Sequence, residues 1–103
     1  MAATDLEVAK RFLNLRQSAV SRGLKFNLSL LSVRNMLNAK RCFYTKVLLN
    51  SVSNHPHQLT VDRVDNTKGY IKGNVVACSK CFNLAKGQLT VSDIKLLYKA
   101  VTK

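Results

Sequence analysis

The sequence predicts an α+β fold in one domain: a small central β-hairpin that runs into a short helix, with further helices on either side. Three observations carry this. Apolar and polar residues alternate over Leu59-Thr60-Val61-Asp62, and a second strand-like run follows at Gly73-Asn74-Val75-Val76-Ala77-Cys78. Between them lies turn chemistry, Asp65-Asn66-Thr67-Lys68-Gly69. Residues before and after this unit repeat their apolar positions at helical spacing, with capping residues at the starts. The chain divides into a helical part (1–41), the hairpin with its helix (42–87) and a C-terminal helix (88–103).

Taken in order, Thr4 with Glu7 forms a capping box, and Asp5 and Glu7 occupy the first turn, where the helix dipole favours negative charge. A helix over about 5–22 follows, with Leu6, Leu13 and Val20, helped by Ala9 and Phe12, as its apolar stripe and Gly23 as its stop. Its polar face carries Lys10, Arg11, Arg16 and Arg22, either a contact surface for a DNA backbone or an ordinary solvated face. Ser29 can cap a second helix over about 30–39. Lys40-Arg41 lead into a strand or turn at Cys42-Phe43-Tyr44-Thr45, and Val47 to Leu49 should pack on the hairpin. A polar loop, NSVSNHPHQ at 50–58, holds both histidines and the single proline. Gly87 ends the helix after the hairpin. Thr90 or Ser92 can cap a last helix whose apolar face is Ile94, Leu97, Tyr98 and Val101. There are no internal repeats.

The chain has 103 residues, enough for one core, and 47% of them are hydrophobic, which excludes a disordered polymer. Seventeen Lys and Arg stand against five Asp and Glu, a net charge of +12. The charge is spread over the whole chain, so a polyanionic partner, most simply nucleic acid, is expected. No apolar run nears the ~20 residues of a membrane span, and MAATDLEVAK lacks the features of a signal peptide. The expected setting is intracellular, in the cytoplasm. An odd number of cysteines, three, argues against a disulfide framework there.

Several short patterns recur in order: Asp62-Arg63-Val64-Asp65, Gly69-Tyr70, Gly73-Asn74-Val75 and Asn83-Leu84-Ala85-Lys86. Together they resemble the HNH endonucleases, the ββα-metal finger nucleases, and most of all the phage-type members with a D-R-[IV]-D core. Cys42-Phe43-Tyr44-Thr45 is similar to the C-x-Y-T-G that often precedes that finger, with Lys46 in place of the glycine. The resemblance covers about half the chain. It implies a metal-dependent DNA endonuclease of weak sequence specificity. It places Asp62 and Asn83 on the two metal positions, for Mg²⁺ or Mn²⁺, which prefer oxygen ligands and keep several waters.

Arg63 stands where many relatives carry a histidine base. A guanidinium does not accept a proton at neutral pH, so Arg63 can clamp a phosphate but leaves the base unassigned. His57 and His55 are the candidates, although strand alternation turns His57 to the side opposite Asp62. Lys68, Lys72, Lys80 and Lys86 are the finger's candidate phosphate contacts, Lys86 lying one turn after Asn83. Asn74 matches the family's middle asparagine, which ties the finger loop together, a structural role. Gly69 is expected to supply a positive φ, and Tyr70 to lie in the core. Cys78-Ser79-Lys80-Cys81 has zinc-like spacing, but structural zinc generally needs four ligands and Cys42 is the one other thiol. Buried free thiols are expected instead. The alternative function is an inactive relative of the same fold that binds nucleic acid or docks on a phage or host enzyme as an inhibitor.

Overall fold

The computed structural model describes residues 2–87 and 89–102. In chain order it contains α1 (Asp5–Ser21), α2 (Leu30–Leu37), β1 (Leu59–Arg63), β2 (Val75–Ser79), α3 (Lys80–Lys86) and α4 (Val91–Val101). Cys42 to Thr45 form a turn closed by an isolated bridge between Arg41 and Leu48, not a strand.

Helix α1 begins at the reciprocal Thr4–Glu7 capping box. It ends where Gly23, at φ +66°, takes the left-handed conformation that glycine adopts without strain. Its buried stripe is Val8, Leu15 and Ala19 with Phe12 beside them. The stripe expected from spacing, Leu6, Leu13 and Val20, instead faces outward, each more than half exposed. Both stripes satisfy helical periodicity, and the second layer decides between them. Val8, Leu15 and Ala19 meet Leu28, Val33 of α2, Tyr70 and Val75 in one core, and Phe12 sits edge-on to Phe26 at 5.3 Å. Asp5 also pairs with Arg34 of α2 across the first turn.

The hairpin is antiparallel, in register from Leu59 opposite Ser79 to Arg63 opposite Val75. Residues 64–74 connect the strands and are tied to the helical part by backbone. Tyr70 N donates to Lys25 O at 2.8 Å, and Asn27 N donates to Tyr70 O at 3.1 Å. A Cβ at Gly69 would lie 2.3 Å from Lys25 O, so this glycine is required by close approach. It does not take the positive φ expected of it; Gly73 does, at +89°.

Helix α3 follows β2 directly and lies over the hairpin. Helix α4 is capped by a Thr90–Asp93 box. Between them Ala85, Leu89, Ile94 and Leu97 line an open apolar groove of about 380 Å³. Among the described residues, no helix is long and apolar enough to cross a membrane.

Candidate active site

Strand alternation puts Thr60 and Asp62 on the same face of β1, and α3 lies across that face. Its two polar residues one turn apart, Asn83 and Lys86, reach the two strand residues in order. Asn83 Nδ2 donates to Thr60 Oγ1 at 3.0 Å, and Lys86 Nζ reaches Asp62.

The orientation of the Asn83 amide follows from its neighbours. Thr60 Oγ1 spends its one proton on Cys78 O at 2.9 Å, so toward Asn83 it can only accept. Val61 O, 3.5 Å from the same nitrogen, is an acceptor as well. The NH₂ end therefore faces the strand, and Oδ1 has no hydrogen-bond donor among the described residues.

Asp62 is 8% exposed and Lys86 2%. A lysine that deep is rarely seen without a charge partner. Nζ lies 3.1 Å from Asp62 Oδ2 and 3.4 Å from Oδ1, and its third donor goes to Arg63 O at 3.1 Å. Asp62 Oδ2 also accepts the Tyr44 hydroxyl at 2.6 Å. Tyr44 is fixed in turn by stacking on Phe82 of α3, with ring centroids 4.7 Å apart. Burial, then the hydrogen bond to Asp62, push the Tyr44 phenol well above the usual phenol range, so it stays a donor. The carboxylate is thus asymmetric. Oδ2 is held by Tyr44 and Lys86, while Oδ1 has one long contact.

The other predicted site residues are distributed differently. Arg63 is turned to its own loop, NH1 donating to Asn66 O at 3.0 Å and Lys68 O at 2.8 Å with the guanidinium over the Tyr70 ring. NH1 thus closes the connection between the strands, two of the five guanidinium N–H donors being given to carbonyls. Asn74 spans the same connection. Its Oδ1 accepts from Asp65 N at 2.9 Å, and its Nδ2 donates to Gly69 O at 2.9 Å and Asp65 O at 3.1 Å. Lys86, read from sequence as a phosphate contact, is a buried partner of Asp62 because α3 aims its last turn at the strand. Lys68 and Lys72 are exposed, and Lys80 holds Asn54 Oδ1 at 3.0 Å.

His57 lies before β1, and its ring packs against that of His55 at 5.5 Å. His55 Nδ1 accepts from His57 N at 2.9 Å and meets Asn50 Nδ2 at 3.1 Å, so these histidines order the 50–58 loop. Asp62 is three residues beyond the start of β1, ~10 Å at strand rise, with His57 farther back still. Among the described residues no hydrogen bond joins His57 to Asp62 or Asn83, although the start of α3 is tied to the same loop by Lys80 N to Gln58 O and Cys81 N to Pro56 O, each at 2.9 Å.

Cys42 and Cys78 are buried, while Cys81 is exposed, unlike the buried thiol expected there, with Sγ 3.6 Å from Ser79 Oγ. Among the described residues, no three His, Cys, Asp or Glu side chains gather as a metal-binding group.

Sequence reading missed the two side chains that bracket the site, Tyr44 and Thr60. Tyr44 stood in the C-x-Y-T stretch, and Thr60 shares the strand parity of Asp62, so both carried a signal.

Known proteins can now be set beside this geometry. The chain superposes on the rare-cutting HNH restriction endonuclease PacI, known from a structure described for its DNA perturbation. The TM-score is 0.67, over 93% of this chain and 77% of that one, at 19% sequence identity. The fold is that of an HNH endonuclease. Within that fold β1, β2 and α3 follow one another as strand, strand and helix, with Asp62 on the first strand and Asn83 on the helix. An uncharacterized 29.0 kDa protein of Enterobacteria phage T4, from the dda-modA intergenic region, is 32% identical over 89 residues. That alignment takes in 85% of this chain but 35% of the phage protein, so the chain spans about a third of its relative's length. No protein-family model matches the chain.

Proposed function

We propose that this chain is a phage-type HNH endonuclease domain that hydrolyses DNA phosphodiesters with a divalent metal ion, Mg²⁺ or Mn²⁺, and little sequence preference. The observation that supports it best is the paired oxygen supply of the finger. Asp62 has Oδ2 anchored and Oδ1 lightly engaged, and Asn83 has its nitrogen engaged and its oxygen without a partner among the described residues. This donor set fits a hard cation that takes few protein ligands and completes its shell with water and phosphate. A ligating carboxylate held by outer hydrogen bonds is the usual support for such an ion. When bound, the cation would supply Lewis-acid stabilisation of the phosphate and an acidified water.

The chain's own groups would do the rest. Asp62 and Asn83 hold the ion, and Tyr44 and Lys86 fix the carboxylate from behind. Lys68, Lys72, the exposed Lys10 and Arg16 of α1 and Arg22 just after it attract the DNA backbone. No protein base is assigned. Arg63 holds its own loop through NH1, and His57 is packed on His55.

Nicking of supercoiled plasmid by the purified protein in Mg²⁺, Mn²⁺ or EDTA tests the reading. Metal-dependent nicking that falls at least ~100-fold in both Asp62→Asn and Asn83→Ala is expected, in line with the loss of one electrostatic group from such a site. A second reading, a DNA-binding domain without turnover, draws on the loop contacts of Arg63 and the packing of His57 on His55. Folded protein that binds duplex in EDTA and nicks under no metal would favour it.

A further inference from the structure

We propose that Lys86 is an internal counter-ion that makes metal and DNA bind cooperatively: the free site takes up a divalent cation weakly, and a phosphate of bound DNA completes it. The inference rests on the nuclease reading above and adds how its site is loaded.

The argument is one of charge. The chain has five acidic residues. Asp5 is paired with Arg34, Glu7 and Asp93 are in capping boxes at the starts of α1 and α4, and Asp65 accepts from both the amide and the hydroxyl of Thr67. Asp62 is therefore the one carboxylate on the α3 face of the hairpin, and Lys86 already neutralises it at 3.1 Å. Tyr44 adds a neutral donor and Asn83 a neutral amide.

Lys86 cannot relieve this by swinging into water. Its side chain is fully buried, its third donor is tied to Arg63 O, and the Tyr44 ring lies 5.9 Å from Nζ. A dication at Asp62 Oδ1 would sit beside a fixed ammonium in a site of zero net charge. A phosphodiester brings the missing negative charge. Whatever DNA does to the metal affinity, metal must do to the DNA affinity by the same factor.

The test uses binding, not turnover. Mn²⁺ is titrated into wild type, Lys86→Met and Asp62→Asn, each with and without a short duplex. Free Mn²⁺ is read by electron paramagnetic resonance, and binding by duplex alone is subtracted. Wild type is expected to bind Mn²⁺ on the order of ten-fold more tightly with duplex, within the usual range of linked sites. Fluorescence anisotropy should show the same factor for duplex when Mn²⁺ is added. Lys86→Met should bind Mn²⁺ without DNA about as tightly as the wild-type complex does, with the coupling reduced.

Circular dichroism melting reports whether Lys86→Met is folded. If it is not, the wild-type coupling decides alone, and its absence overturns the proposal. Tight Asp62-dependent Mn²⁺ binding by free wild type, unchanged by DNA, overturns the proposal and leaves the nuclease reading standing. No Asp62-dependent Mn²⁺ binding in either state overturns both.

Discussion

Helices α3 and α4 are neighbours in sequence and space, yet they invert the usual rule of burial. The first hides a lysine, and the second leaves Leu96, Leu97, Tyr98 and Val101 more than half exposed. The difference lies in what each helix faces. Helix α3 lies on a strand that presents a carboxylate and a backbone carbonyl, and these satisfy every donor of an ammonium. Helix α4 faces the flank of α3 across an open groove. Burial here follows the partner surface more closely than it follows side-chain polarity.

The largest expected break of this contrast is Lys86→Ala. It strands the Asp62 carboxylate in the interior, and removal of one member of a buried pair typically costs ~3–5 kcal/mol. Urea unfolding should show it as a lower midpoint. The double variant Asp62→Asn/Lys86→Ala should cost clearly less than the sum of its singles, which would identify the pair as the unit of stability.

Next comes Tyr44→Phe, which deletes a hydrogen bond to a charged group, worth ~1.5–3 kcal/mol. The same change should lower Mn²⁺ affinity ~10–100-fold. It also has a pH signature. The folded-state pKa of Tyr44 is raised, so its contribution is fully present below the unfolded phenol value of ~10 and is lost as pH rises past it. Wild-type stability should fall above that pH more steeply than that of Tyr44→Phe.

Smaller still is Thr90→Ala, which removes the cap of α4. A loss of ~1 kcal/mol is expected, read as faster amide exchange in α4 with α3 unaffected. Leu97→Ala should be the least costly, within about 0.5 kcal/mol in urea, because a half-exposed side chain in an open groove gives up little. A loss of several kcal/mol at Leu97 would show that α4 is held far more firmly than its exposure implies.

Much of this was legible from local signals. Capping boxes and a terminal glycine located α1 to within a residue or so, and alternation around a turn located the hairpin. The orientation of α1 was not legible, because Leu6-Leu13-Val20 and Val8-Leu15-Ala19 are both apolar stripes. The choice depends on Val33, Phe26 and Tyr70, which are distant in sequence. At the site, the spacing from Asn83 to Lys86 correctly put both side chains on one helix face, but not what that face meets. The ion pair with Asp62 and the Tyr44 hydrogen bond join residues 24 and 18 positions apart. Arg63 shows the same gap: its chemistry was clear, but the carbonyls that occupy it become visible only once the connection folds back.

The backbone bridge between Phe26 and Tyr70, seated through Gly69, also sets an order of assembly. Capping and helical periodicity let α1 and α2 form from nearby residues. The connection that carries Arg63's acceptors closes a span of more than forty residues, and the entropy of that closure must be met before its contacts repay it. The hairpin should therefore mature late, against an N-terminal half already in place. Removing the first twenty-six residues would then slow the settling of the hairpin and loosen the pair of Asp62 and Lys86, which none of them touches.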